Sequence, residues 1–181
     1  MGDTFTFKWD GQNVVRTYIG QKDGLNCYSE KASSGQSSEA CFTSDDNLVR
    51  RVGTWKPIGD ITPHDGQRSF PLFVGKQWET SYTFAGASAF YPMRMITARV
   101  VSYEKITIPA GIFDAFKILA HIHVWGVQSR EEIGGEIIQY YSPKLGMIKY
   151  DREETWGSYA GGTGLSQRME LISYNLARPG A

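Results

Sequence analysis

The chain has 181 residues, and 19 Lys and Arg side chains offset 19 Asp and Glu, so its formal charge is zero. A neutral chain without a basic stripe lacks the electrostatic footprint for nucleic acid or an anionic membrane surface, and no apolar run approaches the roughly 20 residues of a membrane span. We therefore predict no nucleic-acid partner and no transmembrane segment. Abundant aromatics and 20 glycines favour short strands joined by tight turns.

The first third of the chain is predicted to form hairpins. Residues 4–9 alternate polar and aromatic side chains, which is the period of a half-buried strand. Asp10-Gly11 is a strong turn signal, and residues 13–19 follow as a second strand. The chain opens at Met1 directly into the first strand, so we expect any export signal to lie outside this sequence. The next strand-like segments are residues 25–30, 39–43 and 48–52.

Cys27 and Cys41 flank a serine-rich tip between two strand-like segments. This arrangement could place the two sulfurs across a hairpin, where a disulfide would close a short loop. We predict that bond, which is typical of an oxidising compartment; the alternative is two free thiols in a cytosolic protein. Because no histidine lies near them in the sequence, we predict no zinc site there.

Residues 56–73 contain three prolines, and proline at that density excludes a central strand or helix. The apolar side chains at Trp55, Ile58, Ile61 and Phe70 would anchor this stretch against a core. We therefore predict a long ordered connection inside a single β domain that spans residues 1–181.

The remainder of the chain carries strand patterns with turn signals between them, and helical patterning is almost absent. Strands at regular spacing predict an all-β fold with one antiparallel meandering sheet. Such a sheet closes into a barrel or stays partly open, and we predict strong curvature into a half-open barrel. The strand-like segments are residues 79–84, 93–108, 113–127, 136–141, 147–156 and 167–176.

Three short motifs follow one another in the middle and C-terminal half of the chain. They are Pro-Leu-Phe-Val-Gly-Lys-Gln-Trp within 70–78, Ile-Pro-Ala-Gly-Ile-Phe-Asp-Ala within 103–117, and Tyr-Ser-Pro-Lys-Leu-Gly within 140–149. In order and spacing they resemble an uncharacterised family of bacterial exported β-proteins, a domain of unknown function similar in outline to LolA/LolB-type half-barrels. The resemblance implies a periplasmic or lipoprotein-anchored protein of the cell envelope and no known reaction. The glycines and prolines of these motifs suit sharp corners between strands, so we expect them to specify the fold.

The polar clusters in the sequence are weak candidates for a catalytic or metal-binding site. His121 and His123 face one side of a strand, and Glu136 on the next strand could join them, but two strand histidines without a metal are the commoner arrangement. Gly161 to Gly164 lacks the Lys and Ser/Thr of a phosphate-binding loop. We therefore predict no catalytic residue, no metal and no cofactor. The acidic residues that could meet across three strands, most simply as a solvated face, are Glu131, Glu132, Glu136, Asp151, Glu153 and Glu154.

Aromatic side chains on successive strands are the strongest functional signal. A curved sheet without a covering helix leaves its apolar face open to a ligand or a partner, although an ordinary filled core is the alternative. We predict a non-enzymatic envelope protein that binds a lipid or acyl chain in this face. The alternative is an interaction module with an envelope protein partner, and the third hypothesis is a carboxylate-dependent hydrolase. The predicted ligand-binding residues are Trp78, Tyr82, Phe84, Tyr103, Phe113, Phe116, Trp125 and Tyr140.

Overall fold

The computed structural model describes residues 2–85, 93–125, 132–155 and 165–177, with backbone alone at 124–125, 132–133, 155 and 165. Over these ranges the chain is built from twelve strands, and none of the elements is a helix long and apolar enough to span a membrane. The strands are β1 (Thr4–Trp9), β2 (Gln12–Lys22), β3 (Leu25–Ala32), β4 (Ser37–Phe42), β5 (Leu48–Gly53), β6 (Gly59–Thr62), β7 (Gln77–Phe84), β8 (Met93–Ile108), β9 (Gly111–Trp125), β10 (Glu132–Ser142), β11 (Gly146–Thr155) and β12 (Leu165–Asn175).

Each strand pairs antiparallel with the next, which confirms the predicted all-β meander. The prediction of a half-open barrel is wrong, because the sheet closes on itself. Strand β1 pairs with β2 along one edge and with β12 along the other, from Thr4 opposite Asn175 to Trp9 opposite Met169. Closure pairs the backbone groups that an open sheet would leave exposed at its two edges.

The β1–β2 hairpin shows how local sequence sets the turns. Asp10 and Gly11 both have positive φ angles, 47° and 83°. Two successive positive φ values define the type I′ turn, whose twist matches that of the flanking strands. The Asp10-Gly11 pair is therefore the structural reason why β1 and β2 run in register.

The stretch 56–73 is not the uninterrupted connection that its prolines predict. Strand β6 lies inside it, between Pro57 and Pro63, so the prolines flank the strand without entering it. Its pairing is short, with two residues opposite β5 and two opposite β7. After β6 the chain turns into the barrel, where Asp65, Gln67 and Arg68 are buried. We call residues 63–70 the inner segment.

The β8–β9 hairpin is much longer than its neighbours, and its tip crosses one end of the barrel. The backbone N–H of Ala110 donates to the carbonyl of Leu171 on β12, at 3.3 Å. Ile108 and Ala115, on either side of the tip, are buried. The Pro109-Ala-Gly111 corner thus lets the hairpin cover the apolar core at that end.

Candidate functional site

The interior of the barrel carries charge as well as apolar side chains. Five arginines from different parts of the chain line one cavity inside it, namely Arg16 on β2, Arg51 on β5, Arg68 in the inner segment, Arg94 on β8 and Arg152 on β11. A buried charge costs several kcal/mol unless it is paired and hydrogen-bonded. The site is therefore described below through the side chains that pair with these guanidinium groups.

Glu30 on β3 holds two of the arginines. It is fully buried, and one carboxylate oxygen, Oε1, accepts from Nε and Nη2 of Arg16 at 2.9 and 2.7 Å. Its other oxygen, Oε2, lies 3.0 Å from Nε of Arg51. Burial alone would raise the pKa of Glu30, but Arg51 and Arg16 outweigh it and lower the pKa. We call these three residues the Glu30 triad.

Glu154 holds two further arginines on β8 and β11. Its Oε1 lies 3.2 Å from Nη1 of Arg94 and also accepts a hydrogen bond from Nη2 of Arg152. The side chain of Glu154 is 1% exposed, so its charge depends on both partners. We call these residues the Glu154 triad. Nearby, burial raises the pKa of Tyr82 to about 12, so this phenol stays neutral at physiological pH.

The inner segment is fixed to the barrel by side-chain hydrogen bonds. Asn47 accepts from the backbone N–H of Arg68 at 2.8 Å and donates to its carbonyl at 2.9 Å. The guanidinium of Arg68 donates to Oε1 of Gln139 at 2.9 Å, and the Gln139 amide donates to Gln67 at 2.8 Å. Each of these buried side chains thus has a hydrogen-bond partner, and the bonds fix the inner segment against β10.

Asp65 brings a carboxylate into the same interior. Its Oδ1 accepts from the backbone N–H of Leu48 at 2.9 Å. Burial raises the pKa of Asp65, although the positive charge of Arg68 opposes that shift. Asp65 and Arg68 together add no net charge when both are ionised.

Between these groups lies a cavity of about 340 Å³. This volume is near the lower end of the range for small-molecule sites, roughly 300–1,000 Å³. Its wall combines the arginines with apolar and aromatic side chains, among them Trp9, Ile58, Ile61, Tyr82, Phe84 and Met169. A cavity of this kind can hold a molecule that has both an apolar body and a polar end.

Two of the predicted ligand-binding residues, Tyr82 and Phe84, line the cavity. Trp78 is held by the inner segment, because its indole N–H donates to the carbonyl of Gly66 at 2.9 Å. The side chain of Trp125 lies outside the described residues.

The other predicted aromatics lie away from the cavity. Tyr103 packs against Phe116 with ring centroids 4.6 Å apart, and Tyr103 is half exposed. Phe113 contacts Tyr174, and Tyr140 lies under the ammonium group of Lys117. The eight predicted aromatic residues therefore do not line a single cavity.

The arginines are the residues that sequence reasoning missed. The sequence did contain a signal. Arg16 lies two residues after Val14, which is buried, so both side chains are on the inward face of the strand. A charged residue at an inward position indicates either a buried ion pair or a ligand contact. The alternation does not reveal that five such residues converge on one cavity.

The acidic cluster is divided between the two faces of the sheet. Glu154 points inward, whereas Glu136 and Glu153 are direct cross-strand partners on the outer face. They border a surface groove of about 600 Å³ whose cations and carboxylates pair with one another, for example Lys149 with Glu170 at 3.7 Å. Glu131 and the side chain of Glu132 lie outside the described residues. Asp151 borders the same groove.

The structure joins Cys27 and Cys41, which are direct partners on β3 and β4, by a disulfide bond. Within the described part of the chain, the only group of His, Cys, Asp and Glu ligand atoms close enough to hold a metal is Cys27, Glu39 and Cys41. Because both sulfurs are in the disulfide, neither is available as a thiolate ligand. His121 lies opposite Glu136 on the neighbouring strand, without forming such a group.

Comparison with known proteins finds a similarity to one family in the second half of the barrel. Residues 79–164, just under half of the chain, match the family model described as DUF3108-like. This segment is therefore similar to the DUF3108-like family. The match confirms the predicted resemblance to a domain of unknown function, and the motifs of 103–117 and 140–149 lie inside the DUF3108-like segment. No curated protein matches the chain.

Two solved structures share the fold. The hypothetical lipoprotein YmcC from Escherichia coli aligns with a TM-score of 0.56 and 10% identity, over 95% of this chain and 87% of that one. A candidate exported protein from Bacteroides fragilis, which has a YmcC-like fold, aligns with a TM-score of 0.50 and 15% identity, over 96% and 95% of the two chains. The barrel around the DUF3108-like segment therefore has a YmcC-like fold.

Proposed function

We propose that this chain is a non-enzymatic protein of the bacterial cell envelope that binds a small amphiphilic molecule in the lumen of its barrel. The cavity of about 340 Å³ carries the proposal, because its wall joins aromatic side chains to buried polar groups. Small-molecule sites are typically concave and mostly apolar, with a few placed polar groups. The modest volume favours a ligand with one chain or one ring system over a multi-chain lipid.

The proposed location rests on two further observations. The disulfide between Cys27 and Cys41 is typical of proteins that fold in an oxidising compartment. The proteins that share the fold include a hypothetical lipoprotein and a candidate exported protein. Both observations favour the periplasm or the cell envelope.

A second candidate function is that of an interaction module with an envelope protein partner. It is favoured by an exposed turn in which Phe73 and Val74 are 56% and 54% exposed. The turn is held to β8, since the N–H of Gly75 donates to the carbonyl of Val100 at 2.9 Å. Apolar side chains presented on an ordered turn are common where proteins dock.

Native mass spectrometry of the purified full chain, followed by organic extraction, distinguishes the two functions. A bound small molecule that extracts into organic solvent supports the lumen, whereas an apo monomer that takes up no added ligand argues against it. If the wild-type chain forms a dimer and the Phe73→Ser variant is a monomer, the exposed turn docks protein, and this result supports the second function.

Binding of a neutral fluorescent dye, N-phenylnaphthylamine, tests where a ligand sits. Phe84 lines the cavity, so Phe84→Ala should change the dye affinity, whereas Phe113→Ala, a matched change away from the cavity, should not. If the two variants bind the dye equally well, the lumen is not the binding site.

A further inference from the structure

The lumen carries more positive charge than it balances. Each triad contains two guanidinium groups and one carboxylate, so each retains one positive charge. Arg68 and Asp65 add one charge of each sign. The wall also carries Lys56, which pairs with Asp10 at 2.6 Å, so six cations face four carboxylates and the difference is two positive charges. An excess of charge away from bulk water is unfavourable unless a counter-ion reaches it.

Unpaired hydrogen-bond donors mark where that counter-ion would bind. The side chain of Arg51 is 7% exposed; its Nε lies 3.0 Å from Oε2 of Glu30 as an ion pair without a hydrogen bond, and its Cζ lies 5.0 Å from the ring centroid of Trp9. No acceptor among the described residues takes its two Nη groups. The indole N–H of Trp9 is also buried and has no acceptor. Both residues line the cavity, so an oxyanion there could accept from both.

The chemistry of the donors favours a carboxylate or a phosphate. A guanidinium presents its N–H groups in a planar fork that matches the paired oxygens of these anions. Its charge also persists in a partly buried site, because a guanidinium does not lose its proton in proteins. A neutral apolar ligand would leave these donors unsatisfied.

Building on the proposed function, we propose that the lumen selects an acid-bearing amphiphile, with its oxyanion held by Arg51 and the indole N–H of Trp9. The apolar body of the ligand then lies against Tyr82, Phe84 and Met169. The carboxylate of a fatty acid and the phosphate of a monoalkyl ester share this chemistry.

Calorimetric titration of the ligand-free full chain with four decyl compounds tests the proposal. The compounds are decanoate, decyl phosphate, decanol and decyltrimethylammonium, which share one chain and differ in the head group. We expect at least one acid to bind roughly tenfold or more tighter than decanol, as one charge-assisted hydrogen bond would give, and the cation to bind weakest. The stronger of the two acids identifies the carboxylate or the phosphate as the natural head group.

Substitutions in the cavity wall test where the head group of the ligand binds. Arg51→Gln should abolish the preference for the acid over decanol, and Arg51→Lys should keep part of it. Arg99→Gln, which removes an exposed arginine on the outside of β8, should leave the preference intact. Because Arg51→Gln also removes a partner of Glu30 and could unfold the chain, Trp9→Phe provides a milder test, with a loss of about threefold to tenfold for the acid alone.

The outcomes separate this inference from the proposed function. If decanol or the cation binds the wild-type chain as tightly as the acids, the acid preference is refuted while binding in the lumen stands. If Arg51→Gln and Trp9→Phe keep the full preference, the head-group site is refuted. If none of the four compounds binds, both the inference and the proposed function fall.

Discussion

Replacing Glu30 with Gln removes the carboxylate that joins Arg16 to Arg51 inside the barrel. Glutamine has nearly the same shape, so the variant leaves little new cavity. It can still accept from Arg16 through its amide oxygen, but its NH₂ group would face Nε of Arg51, which lies 3.0 Å from the Glu30 carboxylate. The substitution therefore tests charge and hydrogen bonding with packing held nearly constant.

The magnitude follows from the burial of all three side chains. Glu30 is 0% exposed, and the side chains of Arg16 and Arg51 are 11% and 7% exposed. Removing one partner of a buried ion pair typically costs 3–5 kcal/mol, because the remaining charge stays buried and unpaired. Since the cavity can admit water next to Arg51, we expect a loss near the lower limit, about 3 kcal/mol.

Urea denaturation followed by tryptophan fluorescence measures this loss as a shift in the midpoint at unchanged slope. Glu39→Gln is the matched control, because Glu39 pairs with Lys22 and Arg50 where all three side chains are 27–48% exposed. Such exposed pairs contribute about 0–1 kcal/mol. If Glu30→Gln destabilises the chain no more than Glu39→Gln does, the triad is not a buried charge network.

Two further predictions concern acid and the inner segment. Because the pKa of Glu30 is lowered below its ordinary value of 4.5, its contribution is complete above that pH and is lost as the pH falls through the folded-state pKa. The urea midpoint should therefore fall more steeply with acid in the wild type than in Glu30→Gln, and equal slopes would contradict this role. Gly66 has a φ of +58°, and an added Cβ would lie 1.9 Å from Cγ2 of Thr80. Gly66→Ala should cost about 2–3 kcal/mol in the same titration, whereas Gly75→Ala, with φ +90° and nothing within 4 Å, should cost about 1 kcal/mol; equal losses would show that the inner segment is not held tightly.

Strands and turns were predictable because their determinants are local. Residues 93–108 are rich in Ile, Val, Thr and Tyr, and β8 has the same bounds. Asp10-Gly11 predicted its hairpin because few residue pairs tolerate two positive φ angles. The missed strand β6 has four residues between two prolines, too short for a period to be recognised.

The candidate site was predictable only in part. Tyr82 and Phe84 were found as aromatics on a strand, and the cavity includes both. Tyr103 and Tyr140 carry the same local signal, yet they lie away from the cavity. Composition and alternation identify an apolar face, but they do not show which part of that face is left unfilled.

By itself, the sequence determined an antiparallel meander with sharp corners, since hydrophobic period and turn chemistry act over a few residues. The tertiary structure decided the rest. Closure requires β1 to pair with β12 at the far end of the chain, and the inner segment enters the lumen after β6. The convergence of five arginines depends on the register of the closed sheet, because register sets which distant side chains face one another across the lumen.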